Sequence, residues 1–323
     1  MKRVLITGGA GFIGYHLARH HLGRGDEVVI ADNFFRAGGK ADRHFEELAR
    51  SAGAQFLPLD LTQPLPAGRL PARLDTVYHL AAINGTRLFY EIPYQVARTN
   101  LLVTLNLLEA LRGCDVGSLL YASTSEVYAG TEAFGLLSVP TAEDAPVAFK
   151  QPTPVRFSYG ASKFMGEFLC TQFGREAKLP TAVIRYHNIY GPRMGGEHVI
   201  PQFIDRVRRR ENPFNIYGGD QTRAFCYVED ACEATRLVAE TAACADHIVH
   251  IGNPQETLIS DLACLVMQQM DFQAPIIEQG ARSDSVSRRC PDVSKLKRLT
   301  GFEARIGLAE GLKRTVEWYL ANT

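Results

Sequence analysis

Residues 4–14 read Val-Leu-Ile-Thr-Gly-Gly-Ala-Gly-Phe-Ile-Gly, and no other stretch constrains the fold as strongly. The apolar run Val4–Ile6 predicts a buried strand. Gly8, Gly11 and Gly14 come next at intervals of three, and Phe12, Ile13, Leu17 and Leu22 then repeat with helical spacing. Strand, glycine turn and helix in that order build a pyrophosphate site. The glycines permit a tight turn and close backbone approach, and the helix N-terminus faces the phosphates. A second apolar strand over 27–31 ends at Asp32, about 20 residues past the glycines. A carboxylate there accepts hydrogen bonds from a ribose diol and repels a 2′-phosphate, which favours NAD over NADP.

Short apolar runs then alternate with helical patterns. Strands are predicted at 3–6, 27–31, 55–59, 75–80, 117–122 and 181–186, with helices notably at 94–112 and 159–176. That alternation predicts an α/β fold of Rossmann type, a doubly wound parallel sheet. Asp60 ends the third strand, where an adenine would lie. Residues 130–157, rich in Pro, Ala and Thr, read as a surface loop. Beyond residue 187 the pattern shortens, with helices near 199–211, 229–242, 258–270 and 308–320 and strands near 214–217 and 247–251. The expected organisation is an NAD-binding domain over 1–187 and a smaller α/β substrate-binding lobe over 188–323, interleaved with the first.

Lys plus Arg equals Asp plus Glu at 35 each, so nothing points to nucleic acid or an anionic membrane as partner. A negatively charged substrate would have to be met by a local cluster of arginines. The seven cysteines form no Cys-x-x-Cys pair and suit reduced thiols in a cytoplasmic protein, with no metal site expected. The first strand begins so near Met1 that no signal peptide is expected, and no apolar run approaches membrane-spanning length. His16, His20, His21, the arginines at 206 and 208–210, and Trp318 read as packing or solvated residues.

Tyr159-Gly-Ala-Ser-Lys163 is the second strong signal. Tyr159 and Lys163, four apart, share a helix face. An ammonium near a phenol favours the phenolate, and a phenolate beside a nicotinamide can take a hydroxyl proton. Leu119-Leu-Tyr-Ala-Ser-Thr-Ser-Glu-Val-Tyr128 ends a buried strand in hydroxyls and one carboxylate, at the edge where such sheets bind ligands.

Together these residues resemble the extended short-chain dehydrogenase/reductase family, specifically its sugar-nucleotide epimerases, dehydratases and decarboxylases. The resemblance covers nearly the whole chain: Thr7–Gly14, Asp60-Leu61, Tyr78–Ala82, Thr99-Asn100, Ser123–Tyr128, Tyr159–Lys163, Arg185–Arg193, Gln221–Asp230 and the stretch from Pro291. It implies that NAD lies against Gly8, Gly11, Phe12, Ile13 and Gly14, with Asp32 and Asn33 at one ribose. It further implies contacts at Asp60 and Leu61, at Leu80, Ala81 and Ala82, at Asn100, and at Tyr159 and Lys163. In the family's scheme Thr124 bonds the sugar 4-hydroxyl and Tyr159 removes its proton, while Lys163 holds the nicotinamide ribose. The implied substrate contacts are Asn84, Gly85 and Thr86 after the fourth strand, then Asn188, His198, Val199, Gln202, Tyr217, Arg223 and Arg282. Oxidation at C4 gives a 4-ketone, and return of the hydride regenerates tightly bound NAD in each turnover. A homodimer built on helices 94–112 and 159–176 is also implied.

Ser123-Thr-Ser-Glu126 bears on the fate of the ketone. Ser125 and Glu126 stand where 4,6-dehydratases carry Asp-Glu, and Ser-Glu resembles UDP-glucuronate decarboxylases and GDP-mannose dehydratases. A Glu beside C5 could shuttle a proton. Ala82–Thr86 and Met194–His198 resemble instead the epimerases of surface-polysaccharide pathways. C4 epimerisation is therefore the first expectation, with decarboxylation or dehydration through Glu126 as alternatives. A non-catalytic NAD-binding protein would have lost Tyr159 or Lys163, and a simple dehydrogenase would need no Arg223.

Overall fold

In a computed structural model the described residues are 1–149, 151–280 and 286–322, without the Thr86 side chain. Seven strands form one all-parallel sheet: β1 (Arg3–Thr7), β2 (Glu27–Asp32), β3 (Ala54–Pro58), β4 (Thr76–His79), β5 (Leu119–Thr124), β6 (Thr181–Tyr186) and β7 (Ile248–Ile251). Their spatial order is β7-β6-β5-β4-β1-β2-β3. The order reverses between β1 and β4, the crevice where a doubly wound sheet takes its ligand.

The sheet is covered on both faces, so its strands are apolar throughout. Side chains alternate: Val4, Ile6, Val28 and Ile30 enter one core, while Leu5 and Val29 enter the other. The first core is completed by the helices Phe12–Gly23 and Val228–Glu240. The second takes Leu107, Leu108 and Leu111 of the helix Pro93–Leu111 and Cys170 and Phe173 of the helix Phe157–Ala177. Pro93 opens its helix at the position where a missing N–H costs no bond.

Two features differ from the sequence pattern. The short strand near 247–251 returns to the main sheet and becomes β7, pairing in parallel with β6. Val249, His250 and Ile251 are buried there, so a strand late in the chain completes the first half's sheet. Residues 130–157 are also not simply a surface loop. Ala129–Ala133 forms a short helix with Gly130 and Thr131 buried, because Thr131 Oγ1 donates to Pro146 O (2.6 Å) and accepts from Ala148 N (3.1 Å). The segment folds back over the end of β5.

Beyond β6, Phe214–Tyr217 pairs in parallel with Ile276–Gln279. Thr222–Ala224 lies between Glu256–Leu258 and Arg288–Arg289. The helices Val199–Arg208, Ile259–Gln269 and Leu308–Asn322 pack behind them. Among the described residues no helix is long and apolar enough to cross a membrane.

Candidate active site

A cleft of about 440 Å³ opens at the carboxyl ends of the strands. Its floor is the glycine turn. Gly8 has φ +71°, and a Cβ on it would stand 2.8 Å from the Ala81 backbone. A Cβ on Gly14 would lie 2.3 Å from Gly8 O. The helix beginning at Phe12 carries no side-chain cap, so its first N–H groups face the cleft. Glycine cradle, uncapped helix end and Asp32 are the features a dinucleotide's pyrophosphate and ribose require, and they fit NAD.

Fourteen of the fifteen residues assigned to NAD line this cleft: Gly8, Gly11, Phe12, Ile13, Gly14, Asp32, Asn33, Asp60, Leu61, Leu80, Ala81, Ala82, Tyr159 and Lys163. Asp32 accepts from Phe34 N (2.7 Å) on one oxygen and from Ala10 N (3.0 Å) on the other. The Asn33 N–H also reaches the carboxylate, and at least one lone pair stays open for a ribose hydroxyl. Burial raises its pKa, against the pull of those backbone N–H groups. Asn33 donates to Asp60 Oδ1 (3.3 Å) and joins the ends of β2 and β3.

Asn100 is the fifteenth, and it does not reach the cleft. Its Oδ1 accepts from Ile83 N (2.7 Å), and its Nδ2 donates to Ser162 Oγ (3.1 Å) and Ile83 O (3.3 Å). It ties the loop after β4 to the Tyr159 helix. His79 likewise braces β4 between Thr7 Oγ1 (2.7 Å) and Thr104 Oγ1 (3.0 Å), and burial lowers its pKa to about 3, so it is neutral.

Tyr159 and Lys163 sit side by side, but not as the expected pair. Burial, then the charge of Glu126, pushes the Tyr159 phenol well above its ordinary value, while a hydrogen bond with the Thr124 side chain pulls it down. The Tyr159 ring stacks on Phe89 at 4.5 Å. Lys163 Nζ lies over the Tyr121 ring at 4.2 Å, and burial lowers its pKa to about 8. The sequence expectation is that the Lys163 ammonium favours the phenolate; in this structure burial and the Glu126 charge act on Tyr159 in the opposite sense.

Thr124 caps the 3-10 turn Ser125–Tyr128 by accepting from Glu126 N (3.2 Å). Glu126 is gripped from two distant segments. Arg289 Nη1 donates to Oε1 (2.5 Å) and Arg156 Nη2 to Oε2 (3.3 Å). Against the cost of burial, these guanidiniums hold the carboxyl down at about 2. Glu132 and Arg223 lie within electrostatic reach of the same group, and burial with the neighbouring Arg289 lowers Arg223 to about 10. Among the described residues three arginines thus face two carboxylates, the local positive cluster that a neutral chain needs for an anionic ligand.

Sequence reasoning missed Arg156, Arg289 and Glu132. Arg156 stands one helical turn before Tyr159, and Arg289 lies two residues before the Pro291 motif. Neither neighbourhood by itself gives a reason to single out an arginine.

Of the remaining substrate candidates that are described, two line the cleft, Asn84 and His198. Gly85, at φ +128°, lies beside Glu197, whose Oε2 would stand 2.7 Å from a Cβ on it. Asn188 Nδ2 donates to Ala224 O (3.2 Å) and joins the loop after β6 to the Arg223 strand. Arg223 itself donates to Thr222 O (2.8 Å) and Gln221 Oε1 (3.1 Å). Val199 opens its helix, Gln202 donates to Glu197 O (3.0 Å), and Tyr217 is exposed. The Thr86 side chain and Arg282 lie outside the described residues.

The sequence profile of the NAD dependent epimerase/dehydratase family matches residues 4–252. The chain belongs to that family. It is 36% identical to the UDP-N-acetyl-alpha-D-glucosaminuronate decarboxylase of Bacillus cytotoxicus, across 98% of each chain. It is 34% identical to UDP-glucuronic acid decarboxylase 1 of Xenopus tropicalis, over 98% of this chain and 72% of that one. In structure it is similar to a UDP-glucuronic acid 4-epimerase from Bacillus cereus crystallised with UDP-glucuronic acid and NAD. The TM-score is 0.86 and the identity 26%, with 99% of each chain covered. The fold is that of the extended short-chain dehydrogenase/reductases, and NAD is the cofactor.

Proposed function

We propose that the protein is an NAD-dependent decarboxylase of a nucleoside-diphosphate hexuronate. The observation that carries this reading is the Glu126–Arg289–Arg156 cluster at the end of β5. A hexose nucleotide brings only a diphosphate, whereas a hexuronate brings a further carboxylate on C5. Arginine recognises carboxylate through paired, charge-assisted bonds, and among the described residues the arginines of this cluster outnumber its glutamates. The relatives named as uronate decarboxylases support the same substrate class. They favour decarboxylation over the C4 epimerisation that motif comparison places first.

When bound, NAD supplies the hydride acceptor that makes C4 a ketone and then the hydride that restores it. Tyr159 accepts the C4 hydroxyl proton, oriented by Thr124, in the phenolate form that the positive charge of a nicotinamide beside it would favour against burial, and later gives it back. Arg289 and Arg156 hold the carboxylate on the carbon beside that ketone. The bond from C5 to the carboxylate breaks, carbon dioxide leaves, and the electron pair passes to the ketone oxygen. C5 then takes a proton that originates in solvent. Glu126, held ionised, is a poor proton donor at neutral pH; it spreads the arginines and accepts hydrogen bonds. Exposed Leu105, Met165 and Phe168 on the two paired helices form the face of a proposed homodimer.

C4 epimerisation of the same substrate is the second reading, favoured by the likeness to the uronate 4-epimerase. Incubation with UDP-linked uronates in heavy water separates the two. Loss of carbon dioxide with deuterium at C5 supports decarboxylation. Unchanged mass with an inverted C4 proton refutes it.

A further inference from the structure

Beneath the turn that presents Thr124, Ser125 and Glu126 lies a fully enclosed ion pair. Arg185 on β6 and Glu167, on the helix bearing Tyr159, are 2% and 4% exposed. Arg185 Nε donates to Glu167 Oε1 (2.9 Å) and Nη2 to Oε2 (2.6 Å). Each partner then reaches one end of the turn. Ser123, just before it, donates to Glu167 Oε1 (2.5 Å). Tyr128, its last residue, accepts from Arg185 Nη1 (2.5 Å), and the guanidinium lies over the Tyr128 ring at 4.8 Å. Arg185 can only donate, so the Tyr128 proton is shared between His250 Nε2 on β7 (2.8 Å) and Ala142 O (3.3 Å).

A buried ion pair is weak evidence for stability, because desolvation of both charges offsets most of their attraction. What this one does that an apolar pair could not is join five segments through directional bonds: the Tyr159 helix, β5, β6, β7 and the 3-10 turn. A displacement of reacting groups by about 1 Å costs up to about a hundredfold in rate. We propose that Glu167 and Arg185 are positioning residues that bracket the Ser125–Tyr128 turn, holding it at both ends through Ser123 ahead of it and Tyr128 at its close and keeping Thr124 and Glu126 in register with Tyr159. The inference rests on the proposed roles of Thr124, Glu126 and Tyr159.

Tyr128→Phe tests it with the least risk to folding, since only the hydroxyl that couples Arg185 to the turn is removed. The expected result is a kcat about tenfold lower, with KM and NAD affinity close to wild type and a melting temperature lowered only by the lost buried hydrogen bonds. In a Glu126→Gln background the same change should cost much less, because the group being positioned is already gone. Wild-type kcat in Tyr128→Phe, or an equal loss in both backgrounds, would overturn the bracket. A Glu126→Gln variant with full activity would instead sink the proposed role of Glu126. The bracket would then be judged by the kcat of Tyr128→Phe alone, acting through Thr124. Arg185→Lys, which keeps the charge but not the fork, should lower kcat in the same way.

Discussion

Replacing Arg289 by leucine should uncover what the cluster at Glu126 is worth. The carboxyl falls from 4.5 to about 2 although burial opposes ionisation, a preference of roughly 3 kcal/mol for the charged form. Arg289 is the nearer and stronger of its two partners, at 2.5 Å against 3.3 Å for Arg156. Removing it leaves a carboxylate only 19% exposed, with Arg156 at 3.3 Å and Arg223 within electrostatic reach as its remaining counter-charges. Stranding a buried charge costs about 3–5 kcal/mol, and partial exposure here puts the expected loss for Arg289→Leu at about 2–3 kcal/mol at pH 7. Most of that loss is a penalty on Glu126. In a Glu126→Gln background the same substitution should therefore cost under about 1 kcal/mol. Urea unfolding of the four proteins at pH 7, with equal slopes, reads the coupling directly. The native pKa is depressed, so the contribution is complete above pH 4.5 and fades as pH falls toward 2. The gap between wild type and Arg289→Leu should narrow over that range. Equal costs in the presence and absence of the Glu126 carboxylate would refute the claim that the arginines hold an ionised group.

Tyr159→Phe should abolish turnover while NAD and UDP binding by calorimetry stay near wild type; activity above about a hundredth of wild type would remove Tyr159 as the base. Gly14→Ala should weaken NAD binding at least about tenfold and cost about 1–3 kcal/mol of stability, because its Cβ would stand 2.3 Å from Gly8 O. Unchanged NAD affinity there would mean that the glycine turn does not carry the pyrophosphate. Phe168→Glu, on a half-exposed apolar face, should convert a dimer to monomer in sedimentation experiments; a wild-type sedimentation coefficient would place the interface elsewhere.

Much of the dinucleotide half was legible in residue order, since its signals are local. The glycine spacing, the apolar run before it and Asp32 after it lie within 29 residues of one another, and each corresponds to a backbone requirement. Strand and helix periodicity placed six of the seven sheet strands by the faces they bury. Tyr159 and Lys163 were legible because four residues on a helix is a fixed geometry. The substrate end is different in kind. Glu126 and Arg289 are 163 positions apart, and no periodicity relates them. Their meeting depends on the chain leaving β6, folding a lobe and returning beside β5. Asn100 was assigned to the cofactor by motif, yet only packing shows both ends of its amide turned to Ile83 and Ser162. The effect of Lys163 on Tyr159 could not be read from spacing either, because it depends on how far each group is removed from water. Sequence by itself determined the fold class, the cofactor and the helix that carries Tyr159, through patterns that backbone geometry enforces locally. Tertiary structure alone decided which charges meet at Glu126, because burial and long-range ion pairs exist only once the whole chain has closed around the site.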